Sequence, residues 1–304
     1  GLTDIQLALT ELGKKVTQWA TRYPHRKFHS LFMTDGQATR GWKTSDALLP
    51  LVVQHANVKN VFLGFGVEHD FQCLHTMANQ TKSEYYFIDR SAAVGMIYGE
   101  IMHGIFFTMG QHVRLKAHQG VLYDYKTNEW RESLDVHDLM YETSKLYYVK
   151  SSTPEECRIT LEYDCLHTNA HHTSIICPRT SVLEEKEKEK EKEVLKKYTY
   201  RLRTLQLLYD VHSNTNTNIQ TLQTFLAELM TAMREHHWEE DALMKMLCDD
   251  VSIAIKTLHS SFGKMYACAR QTSQGCQRGY TVSFVPEYPR PRHRGIQRQI
   301  TMAD

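Results

Sequence analysis

Apolar residues recur along the first third of the chain in two alternating rhythms. Ile5, Leu9, Leu12, Val16 and Trp19 fall at spacings of four, three, four and three, which makes one stripe of a helix over residues 2–20. After Tyr23-Pro24 the run FHSLFMT (28–34) has strand length and stops at the turn residues Asp35-Gly36. SDALLPLVVQHA (45–56) predicts a helix with Pro50 in or near its first turn, and VFLGFG (61–66) a second buried strand. A short helix presents Phe71, Leu74, Met77 and Ala78, YYFID (85–89) is a third strand, and Val94, Ile97, Ile101 and Ile105 mark another helix. Helix alternating with short apolar strand argues a parallel sheet covered on both faces, with right-handed crossovers. Residues 1–109 therefore read as an α/β, Rossmann-like unit.

The rhythm changes after Gly110. HVRLKA, GVLYDY, KLYYVKSS, CRITLEYDCL and HTSIICP are short, β-rich and separated by polar turns such as KTNEW and SSTPEE. They predict a β-rich, β-sandwich-like domain over 110–180. EEKEKEKEKE then opens a helical region over 181–270, with helices expected at 184–212, 217–237 and 239–268, packed as an α-helical bundle. RQTSQGCQRGYTV (270–282) leads into TVSFV, and a strand returning to one of the sheets outweighs a recognition loop as its reading. Residues 271–304 thus comprise a return strand and a basic, Pro-rich tail whose composition predicts disorder.

Composition changes little in this picture. Lys plus Arg number 36 against 35 Asp plus Glu, so charge favours neither nucleic acid nor a membrane surface. The arginines of the tail (Arg290, Arg292, Arg294, Arg298) lack aromatic interleaving, which leaves a nucleic-acid partner disfavoured. No stretch reaches the roughly 18 apolar residues of a spanning helix. Seven scattered cysteines and an opening without the apolar core of a secretory signal point to a reduced, cytoplasmic (intracellular) setting.

The aspartate at the end of the first strand is the candidate of most interest. Ligands of an open parallel sheet gather beyond the carboxyl ends of its strands, where LFMT gives way to Asp35. A carboxylate beside the hydroxyls of Thr3, Thr34 and Thr39 is a hard-oxygen set, suited to Mg²⁺. On spacing alone a capped turn, with Gly36 supplying the positive φ, outweighs a metal site as its reading. The order GLTDIQLAL, helix, strand ending TDG, helix, VFLGFG and YYFID resembles the second half of a von Willebrand factor A (vWA) domain, over about residues 1–109. That resemblance implies a metal-ion-dependent adhesion site (MIDAS) with Thr3 and Asp35 as metal residues, and a protein partner supplying a carboxylate to the bound Mg²⁺. The family's D-x-S-x-S signature is absent from the chain. The chain accordingly reads as truncated at its N-terminus, with too few ligands to hold Mg²⁺ well, and FHSLFMT lacks the neighbouring strand the family would supply. An apolar, unpaired edge invites association.

Other clusters have plainer explanations. Cys165, His167, His171, His172 and Cys177 crowd into 13 residues, but C-x-H, H-x3-H and H-x4-C match no closed zinc motif. His236-His237-Trp238 suits a helix end, Met230, Met233, Met244 and Met246 suit a core, and Ser45-Asp46 and His69-Asp70 suit helix caps rather than catalysis. The expectation is a non-enzymatic protein-protein interaction module of the vWA type. The alternative is the substrate-recruiting part of a ubiquitin-ligase-like protein whose catalytic domain lies upstream.

Overall fold

A computed structural model describes residues 2–54, 58–81, 83–88, 91–141, 143–177, 185–213 and 218–277. The start of the EEKEKEKEKE run, the TVSFV segment and the basic tail lie outside the described residues.

The first unit follows the apolar rhythm. In chain order it comprises α1 (Ile5–Arg22), β1 (Phe28–Thr34), α2 (Ser45–Val53), β2 (Val58–Phe65), α3 (Phe71–Gln80), β3 (Glu84–Ile88) and α4 (Ser91–Phe106). The sheet is parallel, with order β1-β2-β3 and register from Phe28↔Val58 to Thr34↔Gly64 and from Val61↔Glu84 to Phe65↔Ile88. Side chains of β2 alternate between two cores, as the period of a strand requires. Phe62 joins Ile5, Leu9, Leu48, Leu74 and Met77 beneath α1, α2 and α3. Val61 and Leu63 join Ile97 and Ile101 of α4 on the other face. A central strand buried on both faces reads as a continuous apolar run, which is why VFLGF stands out in the sequence. β1 is the edge strand, hydrogen-bonded to β2 alone among the described residues, and its Met33 is 54% exposed. Pro50 sits in the second turn of α2, one turn later than the sequence suggested. Its ring forgoes one helical bond, a tolerable loss in a helix of 9 residues that Thr44 caps and Leu48 and Val52 anchor.

β4 (Thr108–His118) follows α4 almost directly and begins the β-rich part. Further along come β5 (Val121–Asp124), β6 (Glu129–Arg131), β7 (Ser133–Asp135), β8 (Leu139–Met140), β9 (Val149–Lys150), β10 (Arg158–Cys165) and β11 (His171–Ile176). They form two antiparallel sheets, β11-β10-β4-β7 with β8 also on β4, and β6-β5-β9. Leu115, Ala117 and Leu122 make a small shared core with Leu134, Val136, Ile159 and Leu161. β11 stands outside that core, with Ile175 65% and Ile176 53% exposed, so the covering layer that a sandwich would place there is incomplete among the described residues. The strand expected over KLYYVKSS shrinks to Val149–Lys150, because the backbone of Leu146 pairs with a side chain instead. Its N–H donates to Gln277 Oε1 (2.8 Å) and its carbonyl accepts from Gln277 Nε2 (2.6 Å).

Four helices, rather than the three expected, complete the described chain: α5 (Glu185–Ser213), α6 (Ile219–Glu235), α7 (Ala242–Thr257) and α8 (Ser261–Cys276). Leu208, Leu222, Phe225, Leu229, Leu247 and Val251 form their core. The helix read over 239–268 breaks at 258–260. Ser260 caps α8 by accepting from the Gly263 N–H, and a Cβ on Gly263 would stand 2.0 Å from the Thr257 carbonyl oxygen, so this turn admits only glycine there. Residues 270–276, read as part of a strand or a loop, continue α8, whose polar side chains face inward. α8 touches the first unit through Phe262 against Phe87, and α5 touches it through His212 against His75. Among the described residues no helix is long and apolar enough to cross a membrane.

Candidate functional site

β1 ends at Thr34 beside Gly64 of β2, and the turn that follows is built from hydroxyl groups. Thr34 Oγ1 accepts from the Gly36 N–H (3.3 Å) and donates to the Gly36 carbonyl (2.9 Å), folding the chain back at Asp35. Asp35 itself is exposed. The opening residues are clamped onto this loop by Thr39. Thr3 N–H donates to Thr39 Oγ1 (2.8 Å), which in turn donates to the Thr3 carbonyl (3.3 Å). The same carbonyl accepts the N–H groups of Thr39 (2.9 Å) and Arg40 (3.2 Å). One residue on, Asp4 caps α1 by accepting from Leu7 N–H (2.8 Å), and Gln6 Oε1 accepts from Trp42 N–H (2.9 Å). Thr3 Oγ1 lies 3.5 Å from the place a Cβ on Gly36 would occupy. The structure therefore brings Thr3 and the Asp35-Gly36 turn together, although 32 positions separate Thr3 from Asp35 in the chain.

The neighbouring strand end is closely packed. His69, buried over β2, donates from Nδ1 to the Gly66 carbonyl (2.7 Å), so its Nε2 must accept from the Tyr85 hydroxyl (2.7 Å). Burial lowers its pKa below the usual histidine value and keeps the ring neutral. A Cβ on Gly64 would stand 2.1 Å from His69 Nε2, so the ring lies directly on glycine backbone. The next residue, Asp70, caps α3 by accepting from Cys73 N–H (3.0 Å), as read from the sequence. At α2 the cap is Thr44, with Ser45 the first helical residue.

The donor set at the crest fits a resident Mg²⁺ poorly. Thr34 and Thr39 already use their hydroxyls on backbone, which leaves the Thr3 hydroxyl and the Asp35 carboxylate. Mg²⁺ requires six oxygens in near-octahedral geometry and dehydrates reluctantly, so two protein oxygens hold it weakly. Among the described residues no group of three or more His, Cys, Asp or Glu is placed to hold a metal. The same statement covers the cysteine and histidine cluster at 165–177. There His171 Nδ1 pairs with Asp164 (2.9 Å), His172 stacks on Tyr163 and donates to or accepts from Thr168, and the cluster is spread along β10 and β11. His236 and Trp238 stack at the end of α6, with His237 at φ 55; Met244 is core and Met233 and Met246 pack against it, whereas Met230, expected with them, is 44% exposed.

Sequence reasoning missed a second polar centre, in the seam between α5, α7, α8 and β5. Arg201, Asp250, Gln271 and Gln274 are all buried there. Their one visible signal was the spacing of Gln271 and Gln274 on a single helix face.

No family model matches the chain, and no curated protein matches it. Among solved structures it is similar to the ArnB paralog VWA2 from Sulfolobus acidocaldarius, at TM-score 0.41 and 13% identity over 87% of this chain and 69% of that one. It is also similar to a von Willebrand factor type A structure from Catenulispora acidiphila, at TM-score 0.37 and 10% identity over 86% and 69%. The α/β unit has the parallel sheet and the helices on both faces that the apolar rhythm predicted, and its T-D-G turn stands at the end of β1.

Proposed function

We propose that the chain is a non-enzymatic protein-interaction module that holds a protein partner on the crest at the carboxyl end of β1, with Thr3 and Asp35 at its centre. One observation carries the reading. The Thr39 clamp fixes the Thr3 hydroxyl beside the Asp35-Gly36 turn while the Asp35 carboxylate stays exposed, so a charged group is presented on a loop already ordered before any partner arrives. Pre-ordering lowers the entropic cost of binding. A Mg²⁺ shared with a partner's carboxylate is the metal form of this proposal, and it needs oxygens beyond the two available here.

A photo-crosslinking residue at Gln37, beside Asp35, tests the crest against one at Lys14 on the exposed face of α1. Crosslinked species specific to Gln37 and lost in Asp35→Asn support the reading. Equal yields at both positions, or yields indifferent to Asp35→Asn, overturn it. Calorimetric titration with Mg²⁺ separates the metal form, because heat present in the wild type and absent in Asp35→Ala is required for it.

A further inference from the structure

Arg201 is 2% exposed on α5 and has no carboxylate within ion-pairing distance among the described residues. Its Nε donates to Gln274 Oε1 (3.2 Å) and its Nη2 to the Gln274 carbonyl, while the guanidinium carbon lies 5.9 Å from the Tyr198 ring centre. The buried carboxylate of this core, Asp250, is engaged elsewhere. Arg270 Nε donates to its Oδ1 and Gln274 Nε2 to its Oδ2 (3.0 Å), so the Gln274 side chain stands between the two charges. Arginine does not shed its proton in proteins, and a buried cation lacking a counter-charge is costly.

A cavity of about 40 Å³ lies against this guanidinium, walled by Tyr123, Leu146, Tyr148, Arg201, Leu205 and Gln274. Tyr148 lines it, and its hydroxyl is buried with no hydrogen-bond partner among the described residues. Two potential donors thus line one space: a guanidinium with no carboxylate beside it and a tyrosine whose hydroxyl has no partner among the described residues. The carboxylates that also line the cavity are already held. Asp124 accepts from Lys126 N–H (3.0 Å) and Thr127 (3.2 Å), and Asp135 from Arg114 Nε (2.9 Å). Lys145, near the mouth, donates to the carbonyls of Cys276 and Gln277 at the end of α8. Half-exposed Leu146 and Tyr147 form the outer wall, where the cavity meets solvent.

We propose that this cavity is a binding site for a carboxylate, with Arg201 as the charged anchor and the Tyr148 hydroxyl as the second donor. One water needs roughly 10–15 Å³, so a cavity of about 40 Å³ has room for a carboxylate head group. A single guanidinium fork with one hydroxyl matches a planar monoanion, whereas a phosphate dianion calls for more cationic donors. The site lies apart from the crest and does not depend on the reading given for it.

Acetate is the probe. In the full chain, sodium acetate is expected to raise the urea midpoint above that in sodium chloride of equal ionic strength and pH, and to titrate with one site by calorimetry. Tyr148→Phe should weaken acetate binding about tenfold, the loss of one hydrogen bond to a charged group. Arg201→Met should abolish the effect, and Tyr148→Phe keeps the test decisive if Arg201→Met fails to fold. Equal midpoints in acetate and chloride, an acetate effect that survives in Arg201→Met, or a response to phosphate alone would each overturn the assignment.

Discussion

The crest and the seam both collect polar side chains, but on opposite terms with water. At the crest, Thr34 and Thr39 satisfy neighbouring backbone in partly exposed loops, and Asp35 is presented to solvent. In the seam, Asp250, Arg270, Gln274 and Arg201 form a chain of bonds that joins α7, α8 and α5, with Asp250 only 1% exposed. Water can replace a lost partner at the exposed crest, whereas the Asp250 carboxylate in the seam is closed to it. Polar substitutions should therefore be cheap in stability at the crest and expensive in the seam, so that contact with a partner and folding are separable by position.

The largest effect is expected at Asp250. Asp250→Ala removes the acceptors that Arg270 Nε and Gln274 Nε2 now use inside the core. Breaking one side of a buried pair costs about 3–5 kcal/mol, and urea denaturation near pH 7 should read it. A loss below about 1 kcal/mol would mean that solvent reaches the seam and that the contrast with the crest is not real.

Acid tests the same contrast without a mutation. His75 of α3 and His212 of α5 meet edge to face at 6.0 Å, and burial depresses the pKa of each to about 4. The unfolded chain takes up protons below the ordinary histidine value near 6.5, whereas the folded chain resists until about 4. Stability is thus complete above that upper value and falls as pH drops through the window. At about pH 5 each ring costs roughly 2 kcal/mol, and His212→Gln should remove one ring's share of the slope. Identical denaturation midpoints at about pH 7 and pH 5 would show that the two rings are not desolvated where α5 meets the first unit.

What could be read from the sequence divides along the same line. β1, and within a few residues β2 and β3, were legible because burial demands unbroken apolar runs, and Asp35 was legible because a turn residue at a strand end has a position with meaning. The seam was not. Arg201, Asp250, Gln271 and Gln274 have the chemistry of surface residues, and only tertiary packing of α5, α7 and α8 turns them inward. The break between α7 and α8 hid for a related reason: apolar spacing runs on through Leu258, and the stop is carried by Ser260 and Gly263, a cap and a close approach. The pairing of Leu146 with Gln277 was equally invisible, since a glutamine amide stands where a strand would.

The smallest effect, and the sharpest test of separability, is expected from Thr39→Val. The substitution keeps the β-branched shape and removes the hydroxyl that accepts from Thr3 N–H and donates to the Thr3 carbonyl. Both backbone groups keep other options, because the Thr3 carbonyl still accepts from the Thr39 and Arg40 N–H groups and the Thr3 N–H can turn to water. A lost exposed hydrogen bond of this kind costs about 0.5–1 kcal/mol, which a denaturation curve barely separates from wild type. The clamp itself should loosen far more. Hydrogen exchange at the Arg40 amide, bonded to Thr3 at 3.2 Å, should quicken while exchange in β2 stays unchanged, because local opening needs only the loop and not the sheet. Crosslinking from Gln37 should fall with it, since the partner then meets a loop that must be ordered at the moment of binding. If Thr39→Val instead lowers global stability by more than about 2 kcal/mol and speeds exchange throughout β1 and β2, the crest is part of the folding core, and the distinction between a presenting surface and a supporting seam fails at its weakest bond.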